Sequence, residues 1–300
     1  MGGLALLRVL VTGACGFIGS HLTERLVADG HRVTALDDLS SGRLTNLAAA
    51  RRTKGLSFHN FDITEPELRD LVVREAPQVV CHLATRESGD AVADAAVNVG
   101  GTVRLLHACV AGGVERIVYA SDAAAVYAPT SSRITERAGV APMTSYGASK
   151  VAAETYAQSS TVPSVVLRLG EVYGPRSRTG VVAELMRSAV KGKPGTLRGT
   201  APYDLIHVDD AVDAFLRCLG GKADGRRFNI GSGTGTTPRA LHTKISALAG
   251  MADAPDFAPA SVGSPPVLLD SGGARRALGW EPVVGLEAGL TRTWEWHQAR

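Results

Sequence analysis

The stretch RVLVTGACGFIGSHL, residues 8–22, passes from a β-branched apolar run through Gly13, Gly16 and Gly19 into a helical pattern. A strand, a glycine turn and a helix at this spacing read as the opening of a dinucleotide-binding unit. Gly13 and Gly16 reach backbone angles closed to other residues and let the chain approach a pyrophosphate, which the helix amino end stabilises. Gly19 allows the helix to pack close against the strand. About 20 residues further on, Asp37 ends the next β-branched run, where a carboxylate accepts hydrogen bonds from adenosine ribose hydroxyls. A carboxylate there repels a 2′-phosphate, so the reading favours NAD over NADP. Arg43 is placed to take such a phosphate, and Asp38 works against it. The plainer reading of Asp37 and Asp38 is the start of a turn.

Working outward, short apolar runs alternate with helical patterns. Arg8–Thr12, Arg32–Leu36, Val79–Leu83, Arg116–Ala120 and Ser164–Leu169 predict strands, near-continuously apolar as in a parallel sheet covered on both faces. Gly16–Asp29, Glu65–Ala76 and Asn98–Ala111 predict helices between them, with Thr64 and Glu67 as a capping box. The fold class is therefore α/β, a Rossmann-type doubly wound parallel sheet. After about Leu169 the rhythm breaks. Gly174–Gly180, Lys191–Pro202 and Asp253–Pro266 are rich in small residues and proline. Helices are predicted at Val181–Val190, Val208–Leu219, Pro238–Leu248 and Glu287–Gln298. The expected division is 1–170 as the NAD-binding unit, with 205–235 returning to it. Residues 171–204 and 236–300 form a smaller mixed α/β substrate-binding unit.

Composition narrows the function classes. The chain has 300 residues, 45% hydrophobic and 20% charged, an ordinary globular balance. Thirty-two basic against 29 acidic side chains leave +3, too near neutrality to point to nucleic acid or a membrane surface. No apolar run approaches the roughly 20 residues of a membrane helix. The first residues lack the basic segment and small-residue cleavage site of a signal peptide. Four scattered cysteines and eight histidines at no ligand spacing argue against disulfides and metal, and point to the cytoplasm.

Tyr146 and Lys150 lie four residues apart, on one face of a helix. A phenol of ordinary pKa, about 10, is a poor base at neutral pH. A lysine charge beside it favours the phenolate and makes a general acid/base for an alcohol. Alone the pair means little; behind a dinucleotide turn it predicts catalysis.

With these motifs the chain resembles the NAD-dependent epimerase/dehydratase group of the extended short-chain dehydrogenases/reductases. The segments that carry the resemblance are VTGACGFIGSHL (11–22), LDDLSSGR (36–43), RLGEVYGPR (168–176), LIHVDDAVDAF (205–215), FNIGSG (228–233) and RRALGWEP (275–282). The resemblance implies a 4-epimerase-like reaction on a nucleotide-activated sugar, a UDP-sugar first, through a transient keto sugar and a tightly held NAD. A dehydratase, a keto-sugar reductase and a non-catalytic NAD-binding module are the alternatives. It also implies a homodimer. Cofactor contacts would come from Gly13, Gly16, Phe17, Ile18 and Gly19, and from Asp37, Asp38, Ser40, Ser41 and Gly42. Asp62 and Ile63 would meet the adenine. Leu83, Ala84, Thr85, Asn98, Ala120, Ser121 and Val172 would line the remainder. Tyr146 would be the base, Lys150 would hold the nicotinamide ribose, and Ser121 would assist.

The departures bear on substrate. The group carries Ser or Thr four residues before the tyrosine of its V-Y-G motif, and here that residue is Ala123. Asp122 is an unusual neighbour. The acidic pair of sugar-nucleotide dehydratases is replaced by Ala124 and Ala125, against elimination of water. Glu171 replaces an Asn or Thr, and is open to binding a sugar hydroxyl, acting as a second base, or pairing with Arg176 or Arg178. Tyr203 stands where an arginine is expected, leaving Arg176, Arg178 and Arg198 as candidate phosphate ligands. Arg86, Asp122, Ala123, Glu171, Arg176, Arg178 and Tyr203 are the expected substrate side.

Overall fold

A computed structural model describes residues 6–128, 130, 132–258 and 267–299 of the chain, so residues 259–266 of the Pro-rich stretch lie outside it. In chain order the first part runs β1 (Arg8–Thr12), α1 (Phe17–Ala28), β2 (Arg32–Asp37), β3 (Leu56–Asn60), α2 (Leu68–Glu75), β4 (Val79–His82), α3 (Ala91–Ala95), α4 (Thr102–Ala111), β5 (Arg116–Asp122), α5 (Ala123–Val126), α6 (Ser145–Ser159) and β6 (Ser164–Leu169). It continues with β7 (Glu171–Tyr173), α7 (Val181–Val190), β8 (Thr196–Leu197), β9 (Tyr203–His207), α8 (Val208–Arg217), β10 (Arg227–Ile230), β11 (Gly235–Thr236), α9 (Pro238–Ala249), β12 (Asp256–Phe257), α10 (Gly272–Leu278) and α11 (Leu286–Gln298).

The central sheet has seven strands in the order β3-β2-β1-β4-β5-β6-β10, every pairing parallel. The order reverses between β1 and β4, which opens a crevice at their carboxyl ends. All five strands read from apolar runs are present. The two that such runs do not reveal, β3 and β10, are the sheet edges. β3 is only partly covered along its length, so its sequence LSFHN mixes polar and apolar residues.

Helices cover both faces. Leu22 and Leu26 of α1, Phe215 of α8 and Phe228 of β10 fill one side. Leu71 and Val72 of α2 with Leu105 and Leu106 of α4 fill the other. A third core joins α7, α9 and α11 through Leu185, Met186, Leu241 and Trp294, beside the small β11-β9-β7 sheet. Part of the 236–300 segment packs with the large sheet. Ala274 and Trp280 are buried in the first core, and the Trp280 indole donates to the Asp210 carbonyl at 3.0 Å. All four cysteines are free and buried.

Two local expectations also change. Thr64 does not cap α2: Asp62 Oδ1 accepts the Thr64 N–H at 2.8 Å, closing an Asx turn that delays the helix to Leu68. The predicted Asn98–Ala111 helix begins as α4 only at Thr102. A π-type turn over 96–101 precedes it and seats Asn98 inward at 2% exposure.

Candidate active site

A cavity of about 600 Å³ lies along the carboxyl ends of β1, β2, β4, β5 and β6. At its floor Gly13 takes φ +67°, and a Cβ there would stand 2.8 Å from the Ala84 nitrogen. A Cβ on Gly19 would meet the Gly13 carbonyl oxygen at 2.1 Å, so the helix approaches the turn as closely as backbone allows. α1 starts at Gly16 with no side-chain cap and no acidic residue in its first turn. Its amino end therefore keeps free amides for an anion. This geometry fits a pyrophosphate.

Asp37 is buried, with Oδ2 accepting Cys15 N–H and Oδ1 accepting Leu39 N–H, each at 2.8 Å. Burial raises its pKa, and those two amides oppose the rise. Each oxygen retains a lone pair for the cavity that Asp37 lines, the arrangement a ribose diol needs. Gly42 does not line the cavity; it presses on Asp37 and Cys15 and holds the loop in place.

At the other end α6 delivers Tyr146 and Lys150, with Thr144 capping the helix through Gly147 N–H at 3.0 Å. The Lys150 ammonium donates to the Ala120 carbonyl at 2.7 Å and lies 4.4 Å from the Tyr119 ring centroid. Burial lowers its pKa to about 8. The Tyr146 phenol is pushed up rather than down, by burial first and then by the Asp122 and Glu87 carboxylates. Lys150 is thus anchored on β5 and does not by itself activate the phenol. Ser121 lines the cavity, but its hydroxyl donates to Glu154, so it is already engaged.

Glu87 and Asp122 act on the phenol, and Glu171 joins them on the cavity wall. One oxygen of Asp122 caps α5 through Ala124 N–H at 2.9 Å and Ala125 N–H at 3.2 Å. Burial raises the pKa of all three carboxyls; Glu87 and Glu171 also feel Asp122, whereas Lys150 and two amides oppose the rise at Asp122 itself, and Glu171 reaches about 7.

Most expected site residues meet on this cavity. Phe17, Ile18, Gly16, Asp38, Ser40, Ser41, Asp62, Ile63, Leu83, Ala84, Thr85, Arg86, Ala120, Val172, Arg176 and Arg178 line it with those already placed. Besides Gly42, three do not. Asn98 sits behind the wall and ties it together. Ala123 is 0% exposed and packs with Val126, Tyr127, Ile134 and Leu269, so it is not a substrate contact. Tyr203 belongs to the α7–α9–α11 core. Arg176 is also partly spent: its guanidinium donates to Glu24 at 2.6 Å and to Ser20 at 3.2 Å, which docks the loop on α1. Glu87 was not anticipated, although it lies in the loop that follows β4, where ligand-facing residues of an open α/β sheet stand.

A family model described as the NAD dependent epimerase/dehydratase family matches residues 9–231. The UDP-glucose 4-epimerase of Mycolicibacterium smegmatis is 40% identical over 96% of this chain and 98% of its own length. A UDP-glucose 4-epimerase of Thermotoga maritima, solved with UDP-glucose, superposes with TM-score 0.91 at 31% identity, covering 98% of this chain and 99% of that one. The Thermus thermophilus UDP-glucose 4-epimerase complex with NAD gives 0.86 at 34%, covering 97% and 99%. The chain belongs to the NAD-dependent epimerase/dehydratase family.

Proposed function

We propose that this chain is an NAD-dependent 4-epimerase of a UDP-activated hexose, interconverting UDP-glucose and UDP-galactose. One observation carries the reading: Tyr146 and Lys150 open onto the same crevice as the uncapped glycine turn. The names of the similar proteins support the substrate. The glycine turn, Asp37 and Lys150 would hold NAD at pyrophosphate, adenosine ribose and nicotinamide ribose. When bound, NAD supplies a hydride acceptor and a positive ring.

Tyr146 takes the proton of the sugar 4-hydroxyl and returns it after the keto sugar has presented its other face. No proton is gained or lost over the cycle. Burial of the phenol and the nearby carboxylates hold it protonated until positive charge enters the cleft, so the base is created only where the cofactor is bound. We place the cofactor with residues 1–170 and 205–235, and the sugar nucleotide with 171–204 and 236–300, with the segment around Trp280 serving the first. A homodimer in the cytoplasm completes the proposal. Exposed Val103 and Val110, seven residues apart on α4, support a partnered face. Among the described residues no helix is long and apolar enough to cross a membrane.

The test is incubation of the purified protein with UDP-glucose. UDP-galactose is expected at equilibrium, with no stoichiometric formation of NADH. Tyr146→Phe should lower kcat by about 10²–10⁴ while NAD binding and the unfolding temperature stay unchanged. Consumption of NADH, a product lighter by water, or NAD binding with no turnover each points to one of the other activities of the fold.

A further inference from the structure

We propose that a second hollow, outside the active cavity, binds a nucleoside monophosphate through the guanidiniums of Arg43, Arg178 and Arg187 and the indole of Trp296. Its volume is about 300 Å³, and Asn46, Arg176, Ser177 and His297 complete the lining. Arg43, Arg187, Trp296 and His297 do not line the active cavity. Arg187 stands six residues into α7, about 9 Å along its axis from Val181. Asn46 and residues 176–178 line both spaces and form the wall between them. The hollow is separate from the cavity, so its assignment stands apart from the epimerase reading.

Separate elements bring the charges together. The Arg43 N–H donates to the Cys15 carbonyl at 3.0 Å, and Asn46 Nδ2 donates to the same oxygen at 2.9 Å. The loop after β2 is thereby tied to the glycine turn. Arg176 takes φ +72°, a left-handed angle that strains any residue with a side chain. Its guanidinium is held by Glu24 and Ser20, which anchors the wall at that point. Arg187 Nη1 donates to the Arg178 carbonyl at 2.5 Å and lashes α7 to the loop before it. Trp296, near the end of α11, is half-buried and meets the His297 ring edge-on at 4.9 Å.

The charge on this hollow is unanswered. Among the described residues no carboxylate pairs with Arg43, Arg178 or Arg187, and the guanidiniums of Arg43 and Arg178 make no hydrogen bond. Glu24 answers Arg176 alone. Like charges that share one concavity repel each other. Free surface arginines spread apart into water, whereas here a strained loop and a hydrogen bond between elements keep them together. Each guanidinium is a planar fork that matches phosphate oxygens. A phosphate monoester carries nearly two negative charges at neutrality, so it offsets the excess better than a diester. The indole adds a flat face on which a base stacks. Phosphate and base together suit a hollow at the small end of the ligand-pocket range.

The experiment titrates AMP at constant ionic strength into protein saturated with NAD and UDP-glucose, neither of which ends in a phosphate monoester. The reading is the indole fluorescence that Trp296→Phe removes; Trp280 and Trp294 are buried and supply the background. A saturable change is expected, with a dissociation constant at or below about 1 mM. Inorganic phosphate and adenosine should each bind at least about tenfold more weakly. Arg43→Ala and Arg187→Ala, exposed and on different elements, should each weaken AMP at least about fivefold with the far-ultraviolet spectrum preserved. Equilibrium dialysis with labelled AMP repeats the comparison without the indole. Absence of saturable binding would overturn the proposal, as would phosphate or adenosine binding as tightly as AMP. Undiminished binding in both arginine variants would overturn it too. AMP binding that disappears once NAD and UDP-glucose are present belongs to the active cavity, and this outcome also rejects the second site. A protein without sugar turnover would defeat the epimerase reading alone, because AMP binding is read without turnover.

Discussion

Glu171 lies on β7 with its carboxylate against the start of α7, so close that a Cβ on Gly180 would stand 2.5 Å from Oε1. From the sequence three roles stayed open for it, because a lone acid in a variable position carries no partner. The structure takes Arg176 out of the pairing role, since Arg176 is bound to Glu24. Burial, Asp122, Glu184 and Glu87 raise the Glu171 pKa from 4.5 to about 7. A carboxyl whose folded pKa lies above its unfolded value favours the fold fully below about 4.5, and that contribution is lost as pH rises through about 7. Glu171→Gln should therefore leave stability unchanged at the acid end and raise it by about 1–3 kcal/mol above neutrality, as read by urea unfolding. The same charge faces the crevice in which a diphosphate must settle. The KM for UDP-glucose should rise with pH across that window, and the rise should vanish in Glu171→Gln.

The helix that carries Tyr146 and Lys150 is anchored one turn further along by Glu154, whose oxygens take Arg168 of β6 at 2.6, 3.0 and 3.2 Å. Both side chains are nearly inaccessible, and the guanidinium lies 4.6 Å from the Tyr127 ring centroid. Removing one partner strands a buried charge, so Glu154→Ala should cost about 3–5 kcal/mol in urea unfolding. Replacing both, Glu154→Met with Arg168→Met, should cost much less, because no charge is then left alone. Neither residue stands out in the sequence: they are 14 positions apart on different elements, and only packing joins them. The opposite holds for β1, β6, α7 and α9, whose apolar spacing alone fixes them to within a residue. The capping box at Thr64 misled because Asp62, two residues earlier, competes for the same backbone and wins.

At the scale of the molecule, the glycine turn, the five inner strands of the parallel sheet and the crevice at their carboxyl ends follow from patterns readable in the chain. The return of Trp280 to the large core does not, since the segment around it carries no apolar periodicity to place it. The α4 face with Val103 and Val110 belongs to this scale as well. Val103→Glu with Val110→Glu should convert a particle of twice 31.2 kDa into one of that mass in sedimentation, with the far-ultraviolet spectrum preserved. The enclosed sulfur atoms add a practical consequence. Burial lifts the thiols of Cys15, Cys81, Cys109 and Cys218 well above their ordinary range. Alkylating reagents need the thiolate, so the native chain should be nearly silent toward them. Each labelling event then acts as a stopwatch for a particular opening. Cys15 sits in the glycine turn and Cys109 on the buried face of α4, so added NAD should slow the first clock and leave the second running.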